Sequence, residues 1–440
     1  MGGQAELKGP DFGAGVKAGD IPAGGTLLGH AQGEPVLLAR VNDEYFAIGA
    51  SCTHYGGPLA EGVVDGDTVR CPWHHACFSL RTGEALRAPA LNPVACWNVE
   101  QRGGSIFVTG KEERDPLSPT YPIATIAPAH PERVVVVGLG AAGTATVEML
   151  RRSGYVGTIT VVDDDRGAPY DRPNLSKDYL AGNAPEEWIP IRGDDFYSQH
   201  DVNVIKSRVS KLDIKAKRVE IEGKDPVTYD ALVLATGAEP IRLKLPGDDQ
   251  PHVHYLRSLD DSRRIIEAAK NAKRALVMGA SFIGLEVAAS LRARNVEVHV
   301  AAPEKLPLER VLGEHLGSFI KSLHEEKGVV FHLGHTATSV EKDAVVLDDG
   351  TRVPADLVVI GVGVRPRLTL AEQAGLTMDK GVVVNEFLET SAPGVYAVGD
   401  IARWPDPHTG ERIRVEHWVV AQRQGQTAAR NVLGARERFD

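Results

Sequence analysis

Arg133-Val-Val-Val-Val-Gly138-Leu-Gly140-Ala-Ala-Gly143 is the stretch on which the reading of this chain turns. An unbroken valine run is what a strand buried on both faces of a parallel sheet needs, and the glycines after it read as a tight turn into a helix. Gly138, Gly140 and Gly143 have the spacing of a dinucleotide loop, where backbone N–H groups at the positive end of a helix receive a pyrophosphate. The next strand, Thr158-Ile-Thr-Val-Val162, runs into Asp163-Asp164-Asp165. A carboxylate about 20 residues beyond such a loop accepts from a ribose hydroxyl. Asp165 is the expected residue, and Asp164 the next choice.

The same grammar returns at Arg274-Ala-Leu-Val-Met-Gly279-Ala-Ser281-Phe-Ile-Gly284. Ser281 replaces the middle glycine, and a small hydroxyl side chain still permits close backbone approach. The strand that follows, Val296-Glu-Val-His-Val300, ends in Ala301-Ala302, where an NADH site would carry an acid. Glu304 or Lys305 is the substitute at hand, no arginine adjoins to attract a 2′-phosphate, and the choice between NADH and NADPH stays open. Two further strands fit a nucleotide fold. Tyr229 to Leu234 leads into the small-residue turn Ala235-Thr236-Gly237, and Gly394 to Val398 leads into Gly399-Asp400, a carboxylate suited to a sugar hydroxyl. Taken singly, each is also what an ordinary strand end looks like.

Ahead of this region the pattern is all-β. Pro35 to Val41 and Glu44 to Ile48 flank Asn42-Asp43, a hairpin signal. Cys52-Thr-His54 and Cys71-Pro-Trp-His74 follow, with sixteen residues between them. Cys-x-His paired with Cys-x-x-His is the ligand order of a Rieske 2Fe-2S cluster, whose one iron takes two thiolates and the other two imidazoles. Zinc also accepts two cysteines and two histidines, but interleaved pairs on two loops are not finger spacing. His75 is a rival ligand, yet only His74 keeps the spacing. It also occupies a position where such loops usually carry glycine. No additional cysteine follows His54 or falls between Cys71 and His74, so no inter-loop disulfide is expected.

The net charge of −10 over 440 residues argues against nucleic acid as a partner. The two remaining cysteines, Cys77 and Cys96, read as packing residues in a reducing, cytoplasmic setting. No run is long and apolar enough to predict a membrane span, and the N-terminus lacks the apolar segment of a signal peptide.

Taken with Pro169-Tyr-Asp-Arg172-Pro-Asn-Leu-Ser-Lys177, Gly284-Leu-Glu286 and Glu416-His417-Trp418, these motifs resemble the two-dinucleotide ferredoxin-reductase and apoptosis-inducing-factor flavoproteins over roughly residues 131–435. The N-terminal part resembles the subgroup that fuses a Rieske domain to that reductase. The resemblance implies FAD on the first loop and NADH or NADPH on the second. It further implies that Arg172, Thr236, Gly237, Asp400, His417 and Trp418 belong to the cofactor sites. Lys177 would lie near the reactive edge of the flavin, and Glu286 between Lys177 and the nicotinamide, as a buried pair.

The expected organisation is an all-β Rieske domain over 1–115, a Pro-rich linker over 116–131, and an α/β reductase of Rossmann-like parts. FAD-binding segments span 132–250 and 371–435, and an NAD(P)-binding segment spans 251–370. The family continues into a C-terminal α/β interface domain, which is expected to be absent because the chain ends 22 residues past Trp418. The expected activity is transfer of a hydride from NAD(P)H to FAD and of single electrons through the tethered cluster to an external acceptor. That acceptor would be an oxygenase, a cytochrome or another redox protein; the oligomeric state is not legible. The competing expectation is a redox-sensing, apoptosis-inducing-factor-like signalling flavoprotein with slow NADH turnover. A disulfide reductase is the weakest reading, since every cysteine precedes residue 115.

Overall fold

A computed structural model describes residues 7–112, 131–193 and 195–440. Most of the Pro-rich stretch expected as a linker lies outside the described residues.

The Asn42-Asp43 turn joins Glu34–Val41 to Glu44–Gly49 as an antiparallel hairpin, with both turn residues at positive φ. That is the turn whose twist matches the strands it connects. These strands sit inside a six-stranded antiparallel sheet, ordered Val16–Lys17, Ser105–Lys111, Cys96–Arg102, Glu44–Gly49, Glu34–Val41, Gly25–Ala31. A smaller sheet of Val63–Asp65, Thr68–Arg70, Cys77–Ser79 and Ala85–Arg87 carries the second cysteine–histidine loop. Leu59, Val69, Phe78 and Leu80 fill the space between that loop and the large sheet.

The two valine-type strands each form the centre of a five-stranded parallel sheet. Arg133–Val137 lies between Thr158–Asp163 and Ala231–Leu234, with Val202–Lys206 and Val395–Ala397 outside them. Arg274–Met278 lies between Glu297–Ala302 and Leu357–Ile360, with Val329–Leu333 and Val253–Tyr255 at the edges. Val134 to Val137 and Ala275 to Met278 are buried, as continuous apolar strands in a doubly covered sheet must be.

Helix Ala141–Arg152 follows the first loop and packs closely on helix Trp418–Val432. Small residues allow this: a Cβ at Gly425 would come 2.2 Å from the Ala142 carbonyl oxygen. The contact brings Gly399 and Asp400 to the first loop, because Gly399 N donates to Gln424 Oε1 on the second helix at 2.7 Å.

Candidate functional site

Two loops present the proposed cluster ligands. Cys52 and Cys71 are buried, and the Cys71 thiol is close enough to act on the titration of Cys52. Burial pushes the Cys52 thiol up to about 12. Opposite them, His54 Nδ1 and His74 Nδ1 face one another at 3.3 Å. Burial, with His74 adding to it, pushes His54 down to about 4 and keeps its ring neutral, the form that ligates. Gly57 is required here, since a Cβ would come 2.6 Å from Cys71 Sγ.

The donor set fits a two-iron cluster better than one zinc ion. A single tetrahedral ion would draw all four ligand atoms to within about 4 Å of one another. Among the described residues, no three of these four donor atoms fall within 4.8 Å as a group. The thiol pair and the imidazole pair are thus separate, as an asymmetric 2Fe-2S unit needs. His75 has φ +60° and an exposed side chain. It adopts the left-handed backbone that glycine would otherwise supply, and its N–H closes the loop onto the Cys71 carbonyl at 3.0 Å. No disulfide joins any of the four cysteines.

At the first nucleotide loop a Cβ on Gly143 would meet the Gly138 carbonyl oxygen at 1.9 Å, whereas Gly140 faces open space. The middle glycine is therefore not demanded by the protein's own packing, which also explains why Ser281 is tolerated in the second loop. The three aspartates after Thr158–Val162 divide their tasks. Asp163 is buried, accepts from Leu139 N at 3.1 Å and pairs with Lys206 at 2.9 Å. Asp164 turns to Arg367 at 3.2 Å. Asp165 lines a cavity with Leu139, Gly140, Pro169, Tyr170 and Arg172, and accepts from the Tyr170 hydroxyl. The cavity runs from the glycine loop to this carboxylate, the two ends that receive the pyrophosphate and the ribose in a dinucleotide site.

Arg172 donates to the Arg257 carbonyl, and Arg257 pairs with Asp400 at 3.1 Å. Burial, reinforced by Arg172, pushes Arg257 down to about 10. Thr236 Oγ1 donates to the Arg367 carbonyl at 2.9 Å, and Gly237 accepts from Arg367 N at 2.8 Å. His417 is the residue before the helix that Trp418 opens.

In the second loop, Gly279 and Gly284 repeat the packing of Gly138 and Gly143. Ser281 precedes helix Phe282–Ala293 and donates to the Gly361 carbonyl at 3.3 Å. One turn on, Glu286 pairs with Lys177 at 2.9 Å and accepts from Ser176 Oγ at 2.6 Å. The pair forms as expected but is not buried: Lys177 is 48% exposed and Glu286 28%. The expectation that no arginine adjoins the end of the second strand also needs correction, since Arg310 reaches to 3.4 Å of Glu304.

Several functional candidates were not legible in the sequence. Arg257 comes from outside any motif, and the Ser258–Asp261 capping box fixes it, with Arg257 N donating to Asp261 Oδ2 at 3.1 Å. The box itself was a readable signal. Glu84 of the small sheet's hairpin and Arg152 of the first nucleotide helix form a buried ion pair between the N-terminal module and the reductase region. Tyr55, beside His54, hydrogen-bonds Asp171.

Known proteins resemble both parts of the chain. Residues 14–98 match the Rieske [2Fe-2S] domain, and residues 132–425 match the pyridine nucleotide-disulphide oxidoreductase family. Apoptosis-inducing factor 3 of Homo sapiens is 32% identical, over 90% of this chain and 68% of its own length. The ferredoxin–NAD(+) reductase subunit of the benzene 1,2-dioxygenase system of Pseudomonas putida is 36% identical, over 68% of this chain and 74% of its own length. Among solved structures, the ferredoxin reductase for the CYP199A2 system of Rhodopseudomonas palustris superposes with a TM-score of 0.68 at 34% identity, covering 70% of this chain and 78% of the other.

Proposed function

Because the chain belongs to the pyridine nucleotide-disulphide oxidoreductase family, with a Rieske [2Fe-2S] domain ahead of the reductase region, it is an FAD-dependent NAD(P)H oxidoreductase, and we propose which residues serve each site and what receives the electrons. Bound FAD supplies hydride acceptance from NAD(P)H, and the Rieske cluster supplies one-electron delivery to an external acceptor. Cys52 and Cys71 hold one iron, and His54 and His74 the other. Gly138, Gly140, Gly143 and Asp165 bind the adenosine side of FAD, with Asp164 as a flanking acid. Arg172, Thr236, Gly237, Asp400, His417 and Trp418 line the remainder of that site.

Gly279, Ser281 and Gly284 receive the nicotinamide nucleotide. Lys177 offers a cation where negative charge develops, and Glu286 holds it in place while limiting the cost of covering it. The half-exposed state of the pair suits a position that the nucleotide itself covers.

The observation that carries this reading is the seating of the His54 loop on the Asp171–Lys177 segment through Tyr55, which puts donor and acceptor modules in contact within one chain. Tethering raises the effective concentration of the cluster at the reductase and replaces a diffusing ferredoxin. We infer an oxygenase or cytochrome system as the acceptor, in keeping with the dioxygenase system to which the Pseudomonas relative belongs. A cytoplasmic location suits the absence of disulfides among its four cysteines. Among the described residues no helix is long and apolar enough to cross a membrane.

An anaerobic reductive titration tests the assignment. Uptake is expected to be about three electrons per chain, two for FAD and one for the cluster, falling to about two in Cys71→Ser. Uptake of two electrons by the unaltered protein contradicts it. A second reading, a redox-sensing flavoprotein, is favoured by the 90% coverage of this chain by apoptosis-inducing factor 3. Slow turnover with every one-electron acceptor tried, and a persistent complex of reduced flavin with NAD⁺, would support that reading instead.

A further inference from the structure

Tyr55 sits between the two halves of the machine. It follows the ligand His54, and its ring centroid lies 4.1 Å from that of His54 and 6.0 Å from that of His74. Its hydroxyl donates to Asp171 Oδ2, from a residue 116 positions away in sequence. A hydrogen bond to a carboxylate is stronger and more directional than one between neutral groups.

Asp171 is itself held firmly. Its backbone N–H donates to the Ile189 carbonyl at 2.8 Å, and its carbonyl accepts from Asn174 N at 3.2 Å. The short helical turn Arg172–Ser176 begins at the next residue. Along this one segment stand Arg172, bonded to Arg257, and Lys177, paired with Glu286. The Rieske module is anchored elsewhere by Arg152 with Glu84 and by Ala88 N donating to Gln426 Oε1 at 3.1 Å. Those anchors fix the base of the module. The ligand-bearing tip is held to the reductase segment by Tyr55.

We propose that Tyr55 and Asp171 form an intramolecular docking contact that seats the cluster tip against the flavin-side segment, with Tyr55 as the positioning residue for delivery of single electrons to the tethered cluster. This rests on the reading that electrons pass from the reductase region to the Rieske site. A docking interface between separate proteins must form and release at each cycle. Here one charge-assisted bond on a rigid turn holds the geometry in advance, and small misplacements of donor and acceptor are costly.

The test compares Tyr55→Phe, Asp171→Ala and the double variant in the protein loaded with FAD and cluster. Hydrogen–deuterium exchange of residues 52–57 and 169–177 reports the contact, and cluster reduction after mixing with NADH or NADPH reports its consequence. Each single variant is expected to exchange faster in both segments and to slow cluster reduction about tenfold, the scale of one hydrogen bond to a charged group. The double variant is expected to be no slower than either single, because both remove the same interaction. Asp171→Asn keeps an acceptor oxygen without the charge and is expected to exchange more slowly in both segments than Asp171→Ala. In Tyr55→Phe the rate of flavin bleaching and the EPR signature of the reduced cluster should not move.

Unaltered exchange and unaltered cluster reduction in Tyr55→Phe would overturn the proposal, as would single effects that add in the double variant. A changed cluster EPR signature would overturn it too, placing Tyr55 in the cluster's own environment. If NADH and NADPH bleach the flavin of the unaltered protein but never reduce its cluster, the underlying reading fails, and the exchange measurement still decides whether the contact exists.

Discussion

Arg152 and Glu84 meet as an ion pair with side chains only 4% and 6% exposed, one on the first nucleotide helix and the other in the Rieske module. Arg152 also donates to the Leu91 carbonyl. A guanidinium so enclosed is sustained by its partners, because an isolated charge in such surroundings carries a large desolvation penalty. The pair therefore helps to set where the module sits, from the last turn of the first nucleotide helix.

Removing one partner is expected to be costly. Glu84→Ala leaves Arg152 buried without its carboxylate and should destabilise the protein by about 3–5 kcal/mol. Lys270→Ala, which breaks the exposed pair with Glu267, should cost under about 1 kcal/mol. Denaturant unfolding of both variants checks this, and similar losses would remove the special role of the interface pair.

The cluster assignment predicts a clean separation of cofactors. Cys71→Ser and His74→Ala should abolish the EPR signal of the reduced cluster while the flavin absorbance remains. His75→Ala should keep the signal, since His75 supplies a backbone conformation rather than a ligand. Loss of the signal in His75→Ala, with its retention in His74→Ala, would reverse the ligand choice.

Glu286→Ala acts at an earlier step. It takes from Lys177 and Ser176 their shared carboxylate. NAD(P)H-dependent flavin bleaching should slow about tenfold or more, the scale of one charge-assisted contact at about 1.4 kcal/mol. The alternative, that Glu286 merely caps its helix, finds no support in its partners, which lie on the Arg172–Lys177 segment. Stopped-flow bleaching and thermal stability measured on the same variant separate a rate effect from a folding effect.

Asp171 gives stability a pH dependence. Burial, only partly offset by Lys177, pushes its carboxyl up to about 6, against about 3.9 in an unfolded chain. The folded protein thus holds this proton more tightly, and the resulting stabilisation is complete below about pH 4 and lost as the pH rises through 6. Asp171→Asn stays neutral throughout and keeps an acceptor for Tyr55. It should be more stable than the unaltered protein at pH 8 by about 1–2 kcal/mol, the shift being discounted for the water that reaches a half-buried group. At pH 3.5 the two should unfold alike. Unfolding curves at the two pH values check the sign.

The parts legible in the sequence are those where local chemistry dictates the residue. Runs of valine, the closely packed outer glycines of both loops, the Asn42-Asp43 turn and the cysteine–histidine spacing each answer to a constraint within a few positions. What stayed hidden depends on distant segments meeting. Arg257 reaches Asp400 across 143 positions, and Arg152 reaches Glu84 across 68, so no periodicity could announce either. The Lys177–Glu286 pair was foreseen through family resemblance, but its exposure was not, because a motif records residue identity and not the covering of a cleft. Arg310 was missed because it stands six positions past Glu304, outside the strand end that the motif covers.

Anaerobic stopped-flow mixing with NADH or NADPH, following flavin and Rieske absorbance together over a tenfold range of protein concentration, tests the central claim most directly. Within one chain, cluster reduction should follow flavin bleaching at a rate independent of protein concentration. A rate that rises in proportion to protein concentration, or a cluster that stays oxidised after the flavin has bleached, would contradict it.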